Sequence, residues 1–128
     1  MISCKSAHQG PDGKWTVEGI GIDGGRAKSL PALFRTGLFI AVGIGPYDAE
    51  PGALVLRILS PDMEVRGSWT HTFHAPKRGP LHREGDEGRA FSGYSLVFEA
   101  DSAGTYTVEA RIDDQPPVTY PLTVLLSD

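Results

Sequence analysis

The sequence is poor in cysteine: Cys4 is the only one in 128 residues. An intramolecular disulfide is therefore impossible, which excludes a disulfide-stapled scaffold and favours a reducing compartment, the cytoplasm. The first residues also lack the basic stretch and the apolar core of a signal peptide. We expect Cys4 to be a buried structural thiol, because cysteine is among the residues most often buried.

Long apolar runs and an excess of basic residues are also missing. No apolar run approaches the roughly 18 residues that a membrane-spanning helix needs, so we expect no membrane association. Twelve Lys and Arg against sixteen Asp and Glu give a formal net charge of −4. Because phosphate contacts supply most of the affinity for nucleic acids, this balance disfavours a nucleic-acid partner. No window has the 3.6-residue period of an amphipathic helix.

Alternation of apolar and polar side chains with a period of two is the dominant pattern. It predicts eight strands, at residues 2–7, 14–22, 36–45, 53–60, 64–73, 91–100, 105–112 and 118–126. Sixteen Gly and ten Pro supply the turns, and residues 23–28 are predicted as a loop. Segment 36–45 is apolar on both faces, so we expect it in the middle of a sheet. The pattern predicts an all-β protein, with one antiparallel sandwich domain over residues 1–128.

A short motif, Ala103-Gly104-Thr105-Tyr106, opens the C-terminal hairpin. A small turn before a Tyr that starts a strand resembles the tyrosine corner of immunoglobulin-type sandwiches, in which the phenol hydroxyl bonds back to the backbone. Val108 stands where an antibody domain has its second bridging cysteine. We therefore expect an immunoglobulin-like sandwich without the disulfide.

Several turns and strand starts occur together along the chain. They are the strand at Cys4, the turn Asp12-Gly13-Lys14, the run Val17-Glu18-Gly19-Ile20, the pair Leu30-Pro31, the segment 54–61 and the motif that ends at Tyr106. Together they resemble a small bacterial family of single-domain immunoglobulin-like sandwiches of unknown function. The resemblance covers most of the chain and implies a fold, but it supplies no active-site residues.

Residues 74–90 interrupt the strand pattern with a long polar segment that carries both charges. Loops above about 12–15 residues are uncommon in compact domains and are usually either functional or disordered. The sequence leaves both interpretations open. In the functional one, the candidates for partner binding are Lys77, Arg78, His82, Arg83, Glu84, Asp86 and Glu87.

The run from Gly19 to Gly24 matches the dinucleotide fingerprint G-x-G-x-x-G. In that fingerprint a helix must begin at the loop, so that its N-terminus meets the pyrophosphate. Pro31 stops the chain before a helix of useful length could form, and no βαβ unit follows. We therefore expect a glycine-rich strand end and loop, with no nucleotide or other cofactor.

Three histidines, His71, His74 and His82, are the candidates for a metal site. On a regular strand, residues i and i+3 point to opposite faces, so His71 and His74 diverge unless a bulge brings them together. The interpretation we favour places His71 on a sheet face and His74 at the start of the loop, with no metal. The sequence also lacks a Gly-x-Ser-x-Gly elbow, and Asp113-Asp114 fits a turn. We expect no enzyme active site.

Trp15, Trp69 and Tyr94 allow two interpretations. They either fill the core, as large aromatic residues in alternating strands usually do, or form an exposed platform for a carbohydrate. The sequence therefore leaves two functions open. The first is a non-enzymatic interaction or accessory module, which binds a protein partner through sheet edges or residues 74–90, as a monomer or as a homodimer through edge strands. The alternative is a small-ligand or carbohydrate-binding sandwich that uses exposed aromatic residues.

Overall fold

The computed structural model of the chain describes residues 1–21, 24–44, 52–73 and 88–127, which contain ten strands and no helix. The strands are β1 (Ile2–Cys4), β2 (Ser6–Gln9), β3 (Trp15–Glu18), β4 (Gly24–Ala27), β5 (Ala32–Ile44), β6 (Gly52–Leu59), β7 (Val65–Phe73), β8 (Gly88–Ala100), β9 (Gly104–Ile112) and β10 (Val118–Leu126). The all-β prediction is confirmed. Within the described ranges, no helix is long and apolar enough to span a membrane.

The strands form three sheets. One has the order β1-β5-β8, the second has the order β4-β10-β9-β6-β7, and the third is the β2-β3 hairpin. Neighbouring strands are antiparallel, except that β4 runs parallel to β10. The five-stranded sheet curls into a half-barrel.

The core lies between the three-stranded and the five-stranded sheet. Alternate residues of the strands point into it, because successive side chains of a strand face opposite sides. Across the two sheets, the rings of Phe98 on β8 and Tyr106 on β9 lie with their centroids 5.3 Å apart. The other buried members of the cluster are Leu38, Ile40, Val42, Leu54, Leu56, Ile58, Leu96, Ala100, Val108, Ala110, Leu122 and Val124. Burying one such aliphatic side chain contributes about 1.5–3 kcal/mol, so this alternation is the main stabilising pattern.

The β2-β3 hairpin packs on the side of the three-stranded sheet that faces away from the core. Gly93 on β8 permits this packing, since a Cβ there would lie 2.9 Å from the Trp15 ring and 3.0 Å from Ala7. As a result, β5 is the central strand of its sheet and is covered on both faces along part of its length. The expectation that segment 36–45 lies in the middle of a sheet is confirmed.

The N-terminal strand predicted at residues 2–7 is in fact two strands, β1 and β2, which separate at Lys5. The Lys5 backbone nitrogen donates to the carbonyl oxygens of Glu18 and Gly19, at 2.9 and 3.2 Å. The chain therefore leaves the three-stranded sheet here and pairs with β3 instead. A single alternating pattern in the sequence hides this change of partner.

The glycine-rich segment predicted as a loop contains a strand, β4, which pairs with β10. Gly24 makes the pairing possible, because a Cβ at this position would overlap the carbonyl oxygen of Thr123. Two other strands begin well before the predicted residue, β5 at Ala32 and β8 at Gly88, whereas β6 and β9 begin one residue early. Residues 88–90 are thus part of β8, and not of the loop predicted over 74–90, whose residues 74–87 lie outside the described part of the chain.

Two side chains fix the turns at the ends of β9. The Tyr106 hydroxyl, in a fully buried side chain, donates to the carbonyl oxygen of Ser102 at 3.0 Å, as the motif predicts. At the other end, the Asp113 carboxylate accepts a hydrogen bond from the Ala53 backbone nitrogen at 3.0 Å, and the Asp113 nitrogen donates to the Ala53 carbonyl at 3.1 Å. The turn predicted at Asp113-Asp114 therefore also ties the C-terminal hairpin to the start of β6.

Candidate functional site

The surface of the three-stranded sheet that faces away from the core, here called the outer face, carries the odd-numbered residues of β5 and β8. Leu38, Leu96 and Phe98 at even positions are buried in the core, so their odd-numbered neighbours point outward. The outer face places Arg35 opposite Val97, Gly37 opposite Ser95, Phe39 opposite Gly93, and Ala41 opposite Phe91. Leu33 and Glu99 form the last pair.

Three aromatic rings lie in a row across the outer face. The Trp15 and Phe39 centroids are 5.6 Å apart, and the Phe39 and Phe91 centroids are 5.9 Å apart with their planes only 8° from parallel. Phe91, at the end of the row, is 45% exposed. The row therefore continues from the hairpin out into solvent.

Three more large apolar side chains on the outer face are exposed: Leu33 by 73%, Val97 by 42%, and Ile2, opposite Phe39, by 41%. We call Leu33, Phe39, Phe91 and Val97 the apolar strip. In register, Phe39 and Phe91 lie at one end of this face and Leu33 and Val97 at the other, with Gly37 and Ser95 between them. Exposed apolar side chains on one face of one sheet are candidates for an interaction surface. Two residues of the apolar strip, Phe91 and Val97, lie on β8, which is the end strand of its sheet among the described residues.

A cleft of about 360 Å³ lies between the outer face and the bend that joins β1 to β2. It is lined by Lys5, Ser6, Ala7, Arg35, Gly37, Gly93, Tyr94 and Ser95. We call this cleft the basic groove, after Lys5 and Arg35, the two charged residues that line it. Both are exposed, and neither forms an ion pair with another described residue.

The strands β7 and β8 are the end strands of the two packed sheets, and they follow one another in the chain, separated by residues 74–87. Across the gap between the sheets, the His71 ring meets the Tyr94 ring edge-on, with centroids 5.8 Å apart. An end strand offers backbone N–H and C=O groups that a further strand can pair with. The described residues therefore bring two candidate sheet edges to the same side of the molecule.

The histidines considered as metal ligands are not brought together in the described residues. His71 is exposed and contacts Tyr94, whereas His74 and His82 lie outside the described ranges. No three His, Cys, Asp or Glu side chains of the described part are arranged to hold a metal ion. The predicted partner-binding residues Lys77, Arg78, His82, Arg83, Glu84, Asp86 and Glu87 also lie outside it.

The three aromatic residues singled out in the sequence divide between the two interpretations. Trp69 is half-buried and packs against the core, and its ring lies over Gly67, where a Cβ would come within 2.5 Å of it. Trp15 lies on the outer face instead, half-buried against Phe39. Trp69 thus packs on the core, as the core interpretation predicts, whereas Trp15 packs on the outer face and outside the core; its role as a carbohydrate platform stays a prediction.

Tyr94 also packs partly against the core. Its hydroxyl oxygen is buried and makes no well-formed hydrogen bond with a described residue. Burial raises the pKa of this hydroxyl, and the neighbouring Ser92 side chain offsets part of that rise. The hydroxyl therefore stays protonated at neutral pH.

The run that matches the dinucleotide fingerprint has a structural role. Gly19 and Gly21 have φ of 65° and 89°, and Gly24 opens strand β4 rather than a helix. The helix N-terminus that a pyrophosphate requires is replaced here by a strand. The expectation of a glycine-rich strand end is correct, although the segment after it is a strand and not a loop.

Cys4 is fully buried, as expected, in the short strand β1. Burial raises the pKa of its thiol above the ordinary value of 9.0. Because the thiolate is the nucleophilic form, a thiol with a raised pKa is a poor nucleophile. Cys4 is therefore a packing residue beneath the basic groove, where it pairs with Gly37.

The basic groove and the apolar strip contain residues that sequence reasoning missed: Lys5, Arg35, Phe39 and Phe91. Phe39 had a usable signal, since it lies in a segment that is apolar on both faces. Lys5 and Arg35 had none, because only the pairing of β1 with β5 brings them to one place.

Comparison with known protein families gives one finding for nearly the whole chain. A family model described as a family of unknown function (DUF6941) matches residues 1–125. No curated protein and no solved structure matches the chain. The description of the family names no activity, so the function has to be argued from the surfaces described above.

Proposed function

The chain belongs to the family of unknown function DUF6941, and we propose that it is a non-enzymatic interaction module that binds a protein partner at the β8 edge. The observation that carries the proposal is the exposure of Leu33, Phe91 and Val97 on one face of one sheet. Apolar and aromatic side chains grouped on a surface are the usual core of a protein interface.

The mode of binding we propose is addition of a strand. A partner strand beside β8 would hydrogen-bond to the backbone groups of this strand that pair with no described residue, and its alternate side chains would pack next to Phe91 and Val97. The β7 edge is less suitable, because Ser68, Thr70 and Thr72 along it are exposed and polar, and its exposed apolar residue, Val65, stands alone at the start of the strand. The chemistry of the two edges therefore favours β8.

The proposal includes three finer features. The Tyr106 to Ser102 hydrogen bond supports an immunoglobulin-like version of the sandwich. The single buried Cys4 supports a reducing compartment, the cytoplasm. The resemblance described above supports a bacterial origin. If the partner at the β8 edge is a second copy of the chain, the module is a homodimer. If the partner is a different protein, the chain by itself is a monomer.

A matched pair of substitutions tests the proposal. Leu125 is 42% exposed on the five-stranded sheet, close to the 45% of Phe91. A tagged chain purified from its native cells should carry a stoichiometric partner, which Phe91→Ser should lose and Leu125→Ser should keep. Circular dichroism of both variants controls for folding. Equal retention of the partner by the two variants, or a wild-type chain that is always solitary, contradicts the proposal.

A second function is favoured by one observation, the position of Trp15 on the outer face at the end of the aromatic row. We propose as the alternative that this row is a platform for a carbohydrate or another small ligand. In a Trp69→Phe background, Trp15 is the only fluorescent tryptophan, so titration with a set of oligosaccharides reports on this surface alone. Saturable quenching supports the alternative, and unchanged emission with every sugar excludes those sugars.

A further inference from the structure

We infer that the basic groove is a binding site for an oxyanion, the phosphate or carboxylate group of a small ligand. This site goes beyond the proposed partner interface and does not depend on it. The lining of the groove includes two cations, Lys5 and Arg35, and two serines, Ser6 and Ser95, whereas the apolar strip offers only hydrocarbon and aromatic surface.

The side chains of Lys5, Arg35 and Ser95 lie around one glycine, Gly37. Gly37 pairs with Cys4 of β1 on one side and with Ser95 of β8 on the other. Lys5 follows Cys4 directly, and Arg35 lies two residues before Gly37 on the same face. Neighbouring strands are about 4.8 Å apart and alternate residues of a strand are about 6.6 Å apart, so one small anion could reach Lys5, Arg35 and Ser95.

The glycine at the centre is required by the surrounding structure. A Cβ on Gly37 would lie 2.7 Å from the Cys4 carbonyl oxygen and 3.1 Å from its sulfur. Any side chain here would therefore disturb the β1 pairing and fill the floor of the groove. The backbone of Lys5 is fixed as well, by its hydrogen bonds to Glu18 and Gly19. A site whose backbone is ordered in advance loses less entropy when a ligand binds.

The charges of the groove are uncompensated by the described residues. Arg57 and Arg66 form ion pairs with Glu109 and Asp101, but Lys5 and Arg35 have none. The acidic residues nearest in register are Glu18, beside the Lys5 bend, and Glu99, next to the partner of Arg35; neither forms an ion pair with them. In a chain of net charge −4, this groove is a local positive region.

The chemistry of the two cations fits an oxyanion. The guanidinium of Arg35 can donate two parallel hydrogen bonds to a carboxylate or a phosphate, and the Lys5 ammonium adds a point charge. Ser95 adds a hydroxyl donor. The cleft of about 360 Å³ is within the range of about 300–1,000 Å³ that small-molecule sites occupy, so it has room for a ligand larger than the anion itself.

Titration of the ¹⁵N-labelled full chain with sodium phosphate, and separately with sodium citrate, tests the inference at constant ionic strength against sodium chloride. We expect saturable amide shifts at Lys5, Gly37 and Ser95 with at least one of the two anions. Arg35→Gln should weaken the apparent affinity about tenfold, which corresponds to one lost charge-assisted hydrogen bond. Arg111→Gln, which removes an exposed arginine from the five-stranded sheet, should leave it unchanged.

The outcomes separate the sources of the anion and keep the two proposals distinct. Saturation with phosphate alone assigns a phosphate ligand, and saturation with citrate alone assigns a carboxylate. Absence of saturable shifts with both, or equal weakening by Arg35→Gln and Arg111→Gln, overturns the inference. Lys5→Gln provides a second variant in case Arg35→Gln does not fold. Phe91→Ser should keep the anion shifts even where it loses the protein partner.

Discussion

The inner and the outer face of β5 and β8 belong to the same two strands, but they have different surroundings. On the inner face, Leu38 is fully buried and Phe98 is 4% exposed; on the outer face, Leu33 is 73% and Phe91 is 45% exposed. A five-stranded sheet covers the inner face, whereas the two-stranded hairpin covers only part of the outer one. The inner face carries mostly apolar residues, whereas the outer face also carries Arg35, Ser95 and Glu99. Both the residue types and the covering layer therefore decide which apolar residues become core.

This difference separates the roles of the two faces. The inner residues stabilise the fold, because their apolar area is removed from water. The exposed outer residues gain little of that energy, and their exposure is the basis of the interface proposed above. The hairpin ends partway across the outer face, since its own Trp15 packs on Phe39 while Phe91 lies beyond it.

The largest difference is expected between two leucine-to-alanine substitutions, one on each face. Leu38→Ala removes a fully buried side chain and should lower the free energy of unfolding by about 2–5 kcal/mol, since it leaves a cavity. Leu33→Ala removes an exposed side chain and should change it by less than about 0.5 kcal/mol. Urea unfolding measures both. A large loss for Leu33→Ala would mean that the outer face belongs to the core.

A smaller difference is expected between the two tryptophans. Trp69 packs on the core from the inner side, and Trp69→Ala should cost about 3 kcal/mol. Trp15 anchors only the hairpin, and Trp15→Ala should cost about 1–2 kcal/mol, in proportion to the area that the ring buries. Thermal unfolding gives the ranking. If Trp15→Ala is the more damaging change, the hairpin is part of the core rather than a partial cover.

The hydroxyl of Tyr106 gives a test at the scale of one hydrogen bond. Tyr106→Phe removes the bond to the Ser102 carbonyl and should cost about 1 kcal/mol. Tyr120→Phe is the control, because Tyr120 packs at the edge of the same core and shows no hydrogen bond of its hydroxyl to a described residue. If only Tyr106→Phe melts at a lower temperature than the wild type, the stabilising role of the Tyr106 to Ser102 hydrogen bond is confirmed. If both variants melt at the same temperature, this role is contradicted.

The features that the sequence predicts are those that depend on near neighbours. A period of two gives the inner faces of β6 and β9, and turn residues give the corner at Tyr106 and the turn at Asp113. The hydrogen bonds of Asp113 to Ala53 were not predicted. The parallel pairing of β4 with β10 was not predictable, because Gly24–Ala27 has almost no apolar pattern and its partner lies about a hundred residues further along the chain.

The candidate site was harder to predict than the fold for the same reason. Lys5 and Arg35 are polar residues thirty positions apart, and neither belongs to a motif. Only the pairing of Cys4 with Gly37, together with the bend at Lys5, places them around one cleft. Phe91 starts a predicted strand, but its exposure depends on how far the hairpin reaches across the sheet.

The smallest effect we expect concerns Cys4, the last residue of β1, which comes directly before the point where the chain enters the β2-β3 hairpin. Its pKa is raised above 9.0 by burial, so the folded chain holds the thiol proton more tightly than the unfolded chain does. The free energy of unfolding should therefore not depend on this group below pH 9, and should fall as the pH rises through the folded pKa. Subtracting the pH profile of Cys4→Ala from that of the wild type leaves the contribution of Cys4, because tyrosines and lysines contribute equally to both profiles.

Labelling of Cys4 with a thiol-specific disulfide reagent should be slow in the native chain and fast in urea. Rapid labelling at neutral pH, or a difference profile that rises with pH, would show that the hairpin and β1 leave this position open to solvent, and the covered part of the outer face would then be smaller than the structure indicates.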